Sequence, residues 1–556
     1  MDLDRRSFLK GALATGTLAA GGALVAGAPV AAVAADATGN RNWSWDTPPA
    51  PIPDSDIKET IETEIVVVGA GISGCACACR ASQLGTKVVV LEKMEKPSSR
   101  GGHIGAYQTH SMDRYGMTND PMDQIAAEWM RFAANRCKQK IVYRFLEESS
   151  RVMNWLEDYS EEFSEGALNI VPITTHYVGP YFYEHIGTHT IGGPQGGYPG
   201  NEFRLGAAVY FMWQMAMEKG AEFIFETPAR QLVMDGNKVI GVIAEGSNGY
   251  IKVLASKGVL LASGDISGDD EMMDAYADTA CLACDNKSYT PVGANTGDGQ
   301  KMAMWAGAHM WLGERSSASM MHLIRYFGYA FGFMSVNAQG RRFMNEDTWI
   351  QARSLHILRQ PGENRYAWSV FDADFEDQVV ESIQYGGGQF WDNMSHRAGD
   401  PFIWGAPDQP GTALATFEAG LANGNHVMAD TIEDLAKQME VDPAVLQEEV
   451  DKYNASYDAG VDTDWHKRKE LLTPIRTPPF HALKYGPSIL TVPNGVEVDE
   501  MMRVLDKDLE PIPGLYASGN ASGGRYGVDY PVVMNGNSHG SAMTFGFLVG
   551  EQLSEA

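Results

Sequence analysis

The chain has 556 residues, of which 44% are hydrophobic, and 71 acidic residues outweigh 43 basic ones to give a formal net charge of −28. Less an N-terminal signal and a linker, that length suffices for two domains with substantial cores, and the acidic balance disfavours nucleic acid as a partner. The surplus acid is expected to serve solubility more than an acidic ligand site, because like charge repels anions at a distance.

At the N-terminus, Arg5 and Arg6 with Ser7, Phe8, Leu9 and Lys10 precede a run of small and apolar residues over 11–27, and Ala32-Val33-Ala34 supplies a small-x-small cleavage pattern. Residues 1–34 have the form of a twin-arginine export signal. The expectation is a protein exported by that route, periplasmic or extracytoplasmic at the cell surface. The route carries already folded proteins, which suits a chain that loads its cofactor in the cytoplasm. An uncleaved anchor is the alternative, and no other apolar run is long enough to span a bilayer. Residues 35–62, Pro- and Asp-rich over 42–56, read as a linker.

The run over 63–68 is apolar and β-branched, and Gly69, Gly71 and Gly74 fall where such a strand would turn into a helix. Gly69 suits a tight turn, Gly71 lets the backbone approach a pyrophosphate, and Gly74 lets helix pack on strand. Glu92 follows a second apolar run, at the spacing where a carboxylate meets a ribose hydroxyl. The whole unit predicts a bound dinucleotide; a Gly-rich turn in an ordinary βαβ unit is the bland alternative.

Cys75, Cys77 and Cys79 alternate along the helix that follows, so they face different sides and cannot ligate one metal ion. They read as small packing residues. Cys281 and Cys284 form a lone Cys-x-x-Cys that leaves a disulfide or a redox cluster open, and Cys137 is isolated. No Cys-x-x-Cys-His occurs, so no c-type haem is expected.

Residues 220–244 read as strand, turn and strand with a hairpin at Asp235-Gly236-Asn237, and 257–264 as a strand entering a glycine turn. The loops over 295–299, 514–520 and 535–540 each present backbone N–H groups to a ligand, with a helix over 300–308. Their dispersal implies one cofactor domain interrupted by an insertion.

These residues carry a resemblance. Gly69, Gly71 and Gly74, Glu92-Lys93, Gly101-Gly102, Ala262-Ser263-Gly264, the 296–299 turn, the run Val336, Asn337, Gly340, Arg342, Phe343, Asn345 and Glu346, and the 514–519 segment together resemble the FAD-dependent fumarate reductase and succinate dehydrogenase flavoprotein superfamily. That superfamily includes soluble fumarate and urocanate reductases and 3-ketosteroid dehydrogenases. The resemblance implies an α/β fold with an α+β cap: a Rossmann-like FAD-binding domain over 63–318 and 491–556, interrupted by a mobile capping domain over 319–490. It implies FAD contacts at the motif positions Lys93, Gly101, Gly102, Ser263, Gly264, Asp298 and Gly519. It also implies Glu92 on the adenosine ribose, Ala229 near the adenine, and Asn520, Asn537 and Ser538 near the ribityl chain and flavin ring. The implied reaction is hydride transfer from flavin N5 to an electron-poor alkene with protonation of the neighbouring carbon, which needs hydrogen-bond donors and no metal.

Departures from the fumarate pattern bear on the substrate. The proton-donating arginine of fumarate reductases falls at Ile350, with Arg353 the nearest arginine, and the carboxylate-clamping arginine falls at Val533. The two cap-hinge histidines fall near Ser319 and Thr491. Val and Ile cannot grip two carboxylates, so fumarate is not the expected substrate. Tyr530-Pro531 before Gly536 resembles the 3-ketosteroid dehydrogenase segment in which a Tyr hydroxyl and a glycine N–H hold a ketone oxygen.

Aromatic residues gather around these positions. His176, Tyr177, Tyr181, Phe182, Tyr183, His185 and His189 are expected either to line a broad pocket or to pack, while Tyr326, Phe327, Tyr329, Phe331 and Phe333 read mainly as core. His356 shares a helix face with Arg353 as a bystander.

The reading is an exported FAD-dependent ene-reductase for an aromatic enoate or cyclic enone. Arg353 is the proton donor, and Tyr530 with the Gly536 N–H polarises the carbonyl. Electrons come from an external donor, a membrane quinol or cytochrome system, as in a terminal reductase of anaerobic respiration. The alternatives are a dehydrogenase that desaturates a ketone ring and a flavin electron carrier with no substrate of its own.

Overall fold

In the strand Ile57–Val68, the last four residues are apolar, β-branched and buried, and they carry the glycine turn into the helix Ile72–Gln83. The computed structural model describes residues 42–98, 102–162, 168–173, 183–192, 206–277, 284, 293–311, 319–321, 332–348, 350–362, 365–382, 385, 420–527, 530 and 533–556. Contacts divide the chain into two units, Met1–Asp46 and Thr47–Ala556. Within the first, the Trp43 and Trp45 rings stack at 5.3 Å. The second unit holds every element described below.

Among the described residues its main sheet has eight strands. Pro511–Ala517, Gly249–Leu261, Ile57–Val68, Val88–Leu91 and Glu222–Ile224 run parallel in that spatial order, and Arg503–Leu505 is added antiparallel at one edge. The hairpin Ala229–Asp235 and Lys238–Gly246 turns at Gly236-Asn237, as its sequence indicates, and joins the sheet antiparallel to Gly249–Leu261. Parallel strands buried on both faces read as continuous apolar runs, which is why 65–68 and 88–91 are recognisable in the sequence. The first strand begins earlier than expected, at Ile57 instead of after a linker ending at 62. Residues 57–62 pair with 250–254, but they are mostly exposed and carry no apolar run to announce them.

The helices Ile72–Gln83 and Asn537–Glu555 pack closely against each other. A Cβ at Gly546 would sit 2.2 Å from the Ser73 carbonyl oxygen, and one at Gly550 would sit 2.6 Å from that of Cys77. Small residues are required there, and Cys75, Cys77 and Cys79 are all fully buried. Burial pushes the Cys77 thiol up to about 12 and raises its two neighbours as well, so the three behave as inert packing groups. Among the described residues no group of His, Cys, Asp and Glu is arranged to hold a metal ion. Cys281 lies outside the described residues, so the Cys-x-x-Cys pair is not described.

A second core is built on the antiparallel sheet Met334–Asn337, Ala367–Phe371, Phe480–Tyr485 and His426–Ala429. Met334, Val336, Trp368 and Ala482 pack there against Leu435, Leu446 and Tyr453 of the helices Ile432–Gln438 and Pro443–Ala459. The strand pair Ser319–Met321 and Pro487–Ile489 brackets this segment in the chain. A smaller sheet of Ile104–Gly105, Thr188–Gly192 and Asn169–Pro172 lies beside the N-terminus of the last helix, with Thr188 Oγ1 donating to Asn535 O at 3.0 Å. Among the described residues no helix is long and apolar enough to cross a membrane.

Candidate active site

One long cavity runs from the first glycine turn to the last helix, with about 1580 Å³ of non-atom space including its open mouth. At the glycine turn, Gly69 has φ +106°, and a Cβ there would lie 2.5 Å from Ala262 O. A Cβ on Gly74 would come within 1.9 Å of Gly69 O, so this glycine lets helix close on strand and does not itself line the cavity. Gly71 caps the helix and does line it; the nearest atom to a Cβ placed on it would be Ser98 O, at 4.0 Å. The helix N-terminus thus offers bare N–H groups to an anion.

Glu92 is buried on the cavity wall. Its Oε2 accepts the Ala70 N–H at 2.7 Å and its Oε1 accepts the Met94 N–H at 2.9 Å. A carboxylate held by two backbone donors still has lone pairs for a ribose hydroxyl. Ala229 and Met94 line the wall beside it. Lys93 Nζ reaches Thr296 Oγ1 at 2.8 Å and Asp298 at 2.9 Å, which fixes the 296–298 turn against the nucleotide strand. Ser263 Oγ is a buried oxygen in the wall without a hydrogen-bond partner among the described residues, beside Gly264 with φ +81°. Gly102 lines the cavity, and Gly101 lies outside the described residues. A bare glycine turn, an acceptor carboxylate and an orphaned hydroxyl are a donor and acceptor set that suits FAD.

Farther along, Asp265, Thr491, Asn520 and Ser538 form a continuous wall. Thr491 Oγ1 donates to Asp265 Oδ2, Asn520 Nδ2 donates to Thr491 Oγ1 at 2.8 Å, and Ser538 Oγ donates to Asn520 Oδ1 at 3.3 Å. Gly519 lines the same wall. Gly536 caps the last helix with φ +74°, and a Cβ on it would lie 2.5 Å from the His103 carbonyl carbon.

Tyr530 and Gly536 both line this cavity. The Tyr530 oxygen accepts the Ser538 N–H at 3.1 Å. Burial, then the neighbouring Tyr526, pushes the phenol far above its ordinary value, while the Ser538 N–H works in the other direction. Tyr530 is therefore a neutral hydrogen-bond donor throughout the physiological range.

Arg353 is not among the residues that line the cavity. It is buried on the helix Ile350–Leu358, and its guanidinium donates to Glu346 O at 2.6 Å and Thr348 O at 3.1 Å. The same helix does touch the site, because Gln351 Nε2 donates to Tyr530 O at 3.4 Å. Asn537 is also turned away: its side chain accepts the Tyr526 hydroxyl at 2.7 Å and donates to Met534 O at 3.0 Å, so it holds the turn into the helix instead of facing the cavity. Val533, the position of the absent carboxylate clamp, is fully buried.

Of the aromatic loop, His176, Tyr177, Tyr181 and Phe182 lie outside the described residues. His185 and Tyr183 both bind Asp120, at 2.7 and 3.3 Å, and the His185 N–H donates to Val533 O at 2.6 Å. His189 is buried against Thr109 at 2.8 Å, and burial lowers its imidazole to about 4. Tyr326, Phe327, Tyr329 and Phe331 are outside the described residues, whereas Phe333 stacks on Phe371 in the core at 4.7 Å. His356 is exposed on its helix. Sequence reasoning missed His103 and His539, which line the cavity with the His539 ring hydrogen-bonded to His103 O at 2.9 Å, and it missed Asp265 and Arg525. Each lies close to a glycine of a quoted motif, and that proximity was the available signal.

The family model described as FAD binding domain matches residues 64–537. NADH:acrylate oxidoreductase of Vibrio harveyi is 27% identical over 352 residues, 61% of this chain and 31% of that protein. Vinyl phenol reductase of Lactiplantibacillus plantarum is 25% identical over 499 residues, covering 84% and 91%. 4-Oxocyclohexanecarboxylate 2-dehydrogenase of Sinomonas cyclohexanicum is 27% identical over 384 residues, covering 63% and 60%. The chain spans between about a third and three-fifths of the length of the first curated relatives it matches. In fold, a solved 3-ketosteroid Δ1-dehydrogenase from Sterolibacterium denitrificans superposes with TM-score 0.66 at 20% identity, over 89% of this chain and 99% of that one.

Proposed function

The chain belongs to the FAD binding domain family of oxidoreductases, and from that membership we propose that it is a reductase of activated C=C bonds whose substrate is an aromatic enoate or a cyclic enone. The observation that carries the substrate class is Tyr530. A neutral phenol on the cavity wall, backed by the Ser538 N–H, suits a carbonyl oxygen, and among the described residues lining the cavity there are no arginines to clamp the two carboxylates of a dicarboxylate. FAD supplies the hydride when bound. Gly71 and Glu92 would hold its nucleotide half, and the wall from Asp265 to Ser538 would orient the remainder. Tyr530, together with the Gly536 N–H, donates to the substrate oxygen as negative charge develops there. Arg353 is the proposed proton donor; its helix reaches Tyr530 through Gln351, and closure of a mobile cap over 319–490 would bring the guanidinium onto the substrate.

Support for chemistry at a C=C bond also comes from relatives named NADH:acrylate oxidoreductase and vinyl phenol reductase. The test is anaerobic reoxidation of the reduced flavin by fumarate, cinnamates, urocanate and unsaturated steroid ketones. Rapid reoxidation by an aromatic or cyclic compound but not by fumarate is expected; reoxidation by fumarate alone overturns the reading.

The same wall also serves the reverse reaction, desaturation of a ketone ring, which the cyclohexanone-type relative favours. Turnover of saturated ketones with an artificial acceptor, and none of alkenes, would select it. The Arg5-Arg6 signal supports export by the twin-arginine route, with electrons from an external quinol or cytochrome system; an Arg5→Lys, Arg6→Lys chain should then stay in the cytoplasm.

A further inference from the structure

Arg525 is buried to 2% exposure immediately behind the wall that carries Tyr530. Its Nη2 donates to Gly519 O at 2.6 Å and to Asn520 Oδ1 at 3.4 Å, and both of those residues line the cavity. Its Nη1 donates to Ser541 Oγ, which in turn donates to Ser538 O at 3.1 Å in the first turn of the last helix. Among the described residues its Nε has no hydrogen-bond partner and no carboxylate forms an ion pair with it. The guanidinium carbon stands 5.2 Å from the Tyr526 ring centre, and that ring is 5.1 Å from the Tyr530 ring.

An arginine does not give up its proton in such a place, and a buried cation without an anion is costly. A buried basic cluster elsewhere in the described residues is balanced: Arg342 and Lys467 face Glu346 and Asp462. Among the described residues Arg525 instead meets carbonyl, amide and hydroxyl oxygens. Its charge also adds to the positive end of the helix Asn537–Glu555, whose N-terminal Ser538 is on the cavity wall. An anion inside the cavity is the charge that would complete the site.

We propose that Arg525 is the electrostatic counter-charge of the reduced flavin, a positioning residue that favours the ring form carrying one negative charge. Uptake of two electrons and one proton from the titrant and solvent would leave a bound ring anionic, and Arg525, behind Gly519 and Asn520 of the cavity wall, would be the cation that balances it. Oxidised flavin is neutral and gains nothing from the cation. Arg525 therefore raises the reduction potential and holds electrons on the ring until an acceptor arrives. The inference rests on FAD binding and is independent of substrate and direction, so failure of the substrate panel leaves its readouts intact.

The experiment is made on the full holoprotein with Arg525→Met and Arg525→Lys. Sulfite is the probe: its lone pair forms a bond to flavin N5 and leaves the ring anionic without any external reductant. Arg525→Met is expected to keep FAD at one per chain, to weaken sulfite binding at least tenfold, and to lower the two-electron potential by the equivalent ~30 mV or more. Arg525→Lys should restore most of both. Sulfite affinity and potential within twofold of wild type, with FAD bound, overturn the proposal. Should Arg525→Met fail to retain FAD, the wild type decides through its pH dependence. One proton per two electrons, a slope of ~30 mV per pH unit from pH 6 upward, supports the anionic ring, and twice that slope rejects it.

Discussion

The phenolic oxygen of Tyr530 accepts the Ser538 backbone N–H at 3.1 Å, which ties a buried phenol to the N-terminus of the last helix. A donor aimed at the oxygen strengthens the hydrogen that the phenol can offer to a substrate, and the apolar surroundings keep it un-ionised. Tyr530→Phe is expected to lower kcat by ~10²-fold while leaving FAD bound, a loss of the size seen when one oxyanion donor is removed. Stopped-flow reoxidation of the reduced protein measures it. Since burial raises the phenol above its ordinary 10.0, ionisation of Tyr530 puts no alkaline limb on the rate below that pH. Unchanged turnover in the phenylalanine variant would move carbonyl polarisation to another group.

Glu92 offers a separate test of the nucleotide half. Its two carboxylate oxygens are positioned by the Ala70 and Met94 N–H groups, so a substitution there changes charge more than shape. Glu92→Gln should weaken FAD binding by roughly 1.5–3 kcal/mol, about tenfold to a hundredfold, because it replaces an ionised acceptor with an amide. Fluorescence titration of apoprotein with FAD gives the constant, and a change under twofold removes Glu92 from the ribose.

The nucleotide half was legible because its requirements are local. Gly69, Gly71, Gly74 and Glu92 sit within one βαβ unit, where strand, turn and helix impose each residue type over a short span. Arg342 and Glu346 were recognisable as parts of a motif, but their mutual ion pair and its link to Asp462 were not, since Asp462 stands 120 residues away on another element. The same limit explains Arg353 and Asn537. Their positions in a motif were readable, but side-chain direction was not: Arg353 turns back on Glu346 O, and Asn537 turns to Tyr526. Arg525 escaped notice because what marks it, the Gly519, Asn520 and Ser541 oxygens around its guanidinium, is assembled only by the fold. The strand start at Ile57 was hidden for a simpler reason, its exposed and polar face.

Two buried histidines set an acid limit on stability. His189, bound to Thr109, and His481, bound to His426 at 3.0 Å, are both lowered to about 4 by burial, from an ordinary 6.5. The folded state therefore binds fewer protons than the unfolded state between those values, so stability rises with pH across that window. It is complete above about pH 6.5 and is lost as pH falls toward 4. At pH 5 each histidine accounts for a loss of about 2 kcal/mol. Denaturant midpoints at pH 7, 6 and 5 should fall in that order, and His189→Gln should flatten the profile. A midpoint independent of pH over this range would falsify the assignment.

The second core depends on a charge cluster that is neutral only when complete. Glu346 is fully buried; Arg342 grips it at 2.9 and 2.8 Å and also reaches Asp462 at 2.8 Å, while Lys467 lies 3.6 Å from it. Burial alone would raise the Glu346 carboxyl, but Arg342 and Lys467 more than reverse this, and the group is held below its ordinary range. Glu346→Gln leaves two buried cations facing one carboxylate, so it should cost about 3–5 kcal/mol of stability. Replacing Lys467 with Met in the same chain removes the surplus charge and should recover part of that loss, which a double-mutant cycle in denaturant can read. The effect should extend to the site, because Glu346 O holds the Arg353 guanidinium at 2.6 Å and the Arg353 helix reaches Tyr530 through Gln351. A glutamine variant that is destabilised by less than about 1 kcal/mol would mean that the cluster is open to water and that Glu346 orients Arg353 through its backbone alone.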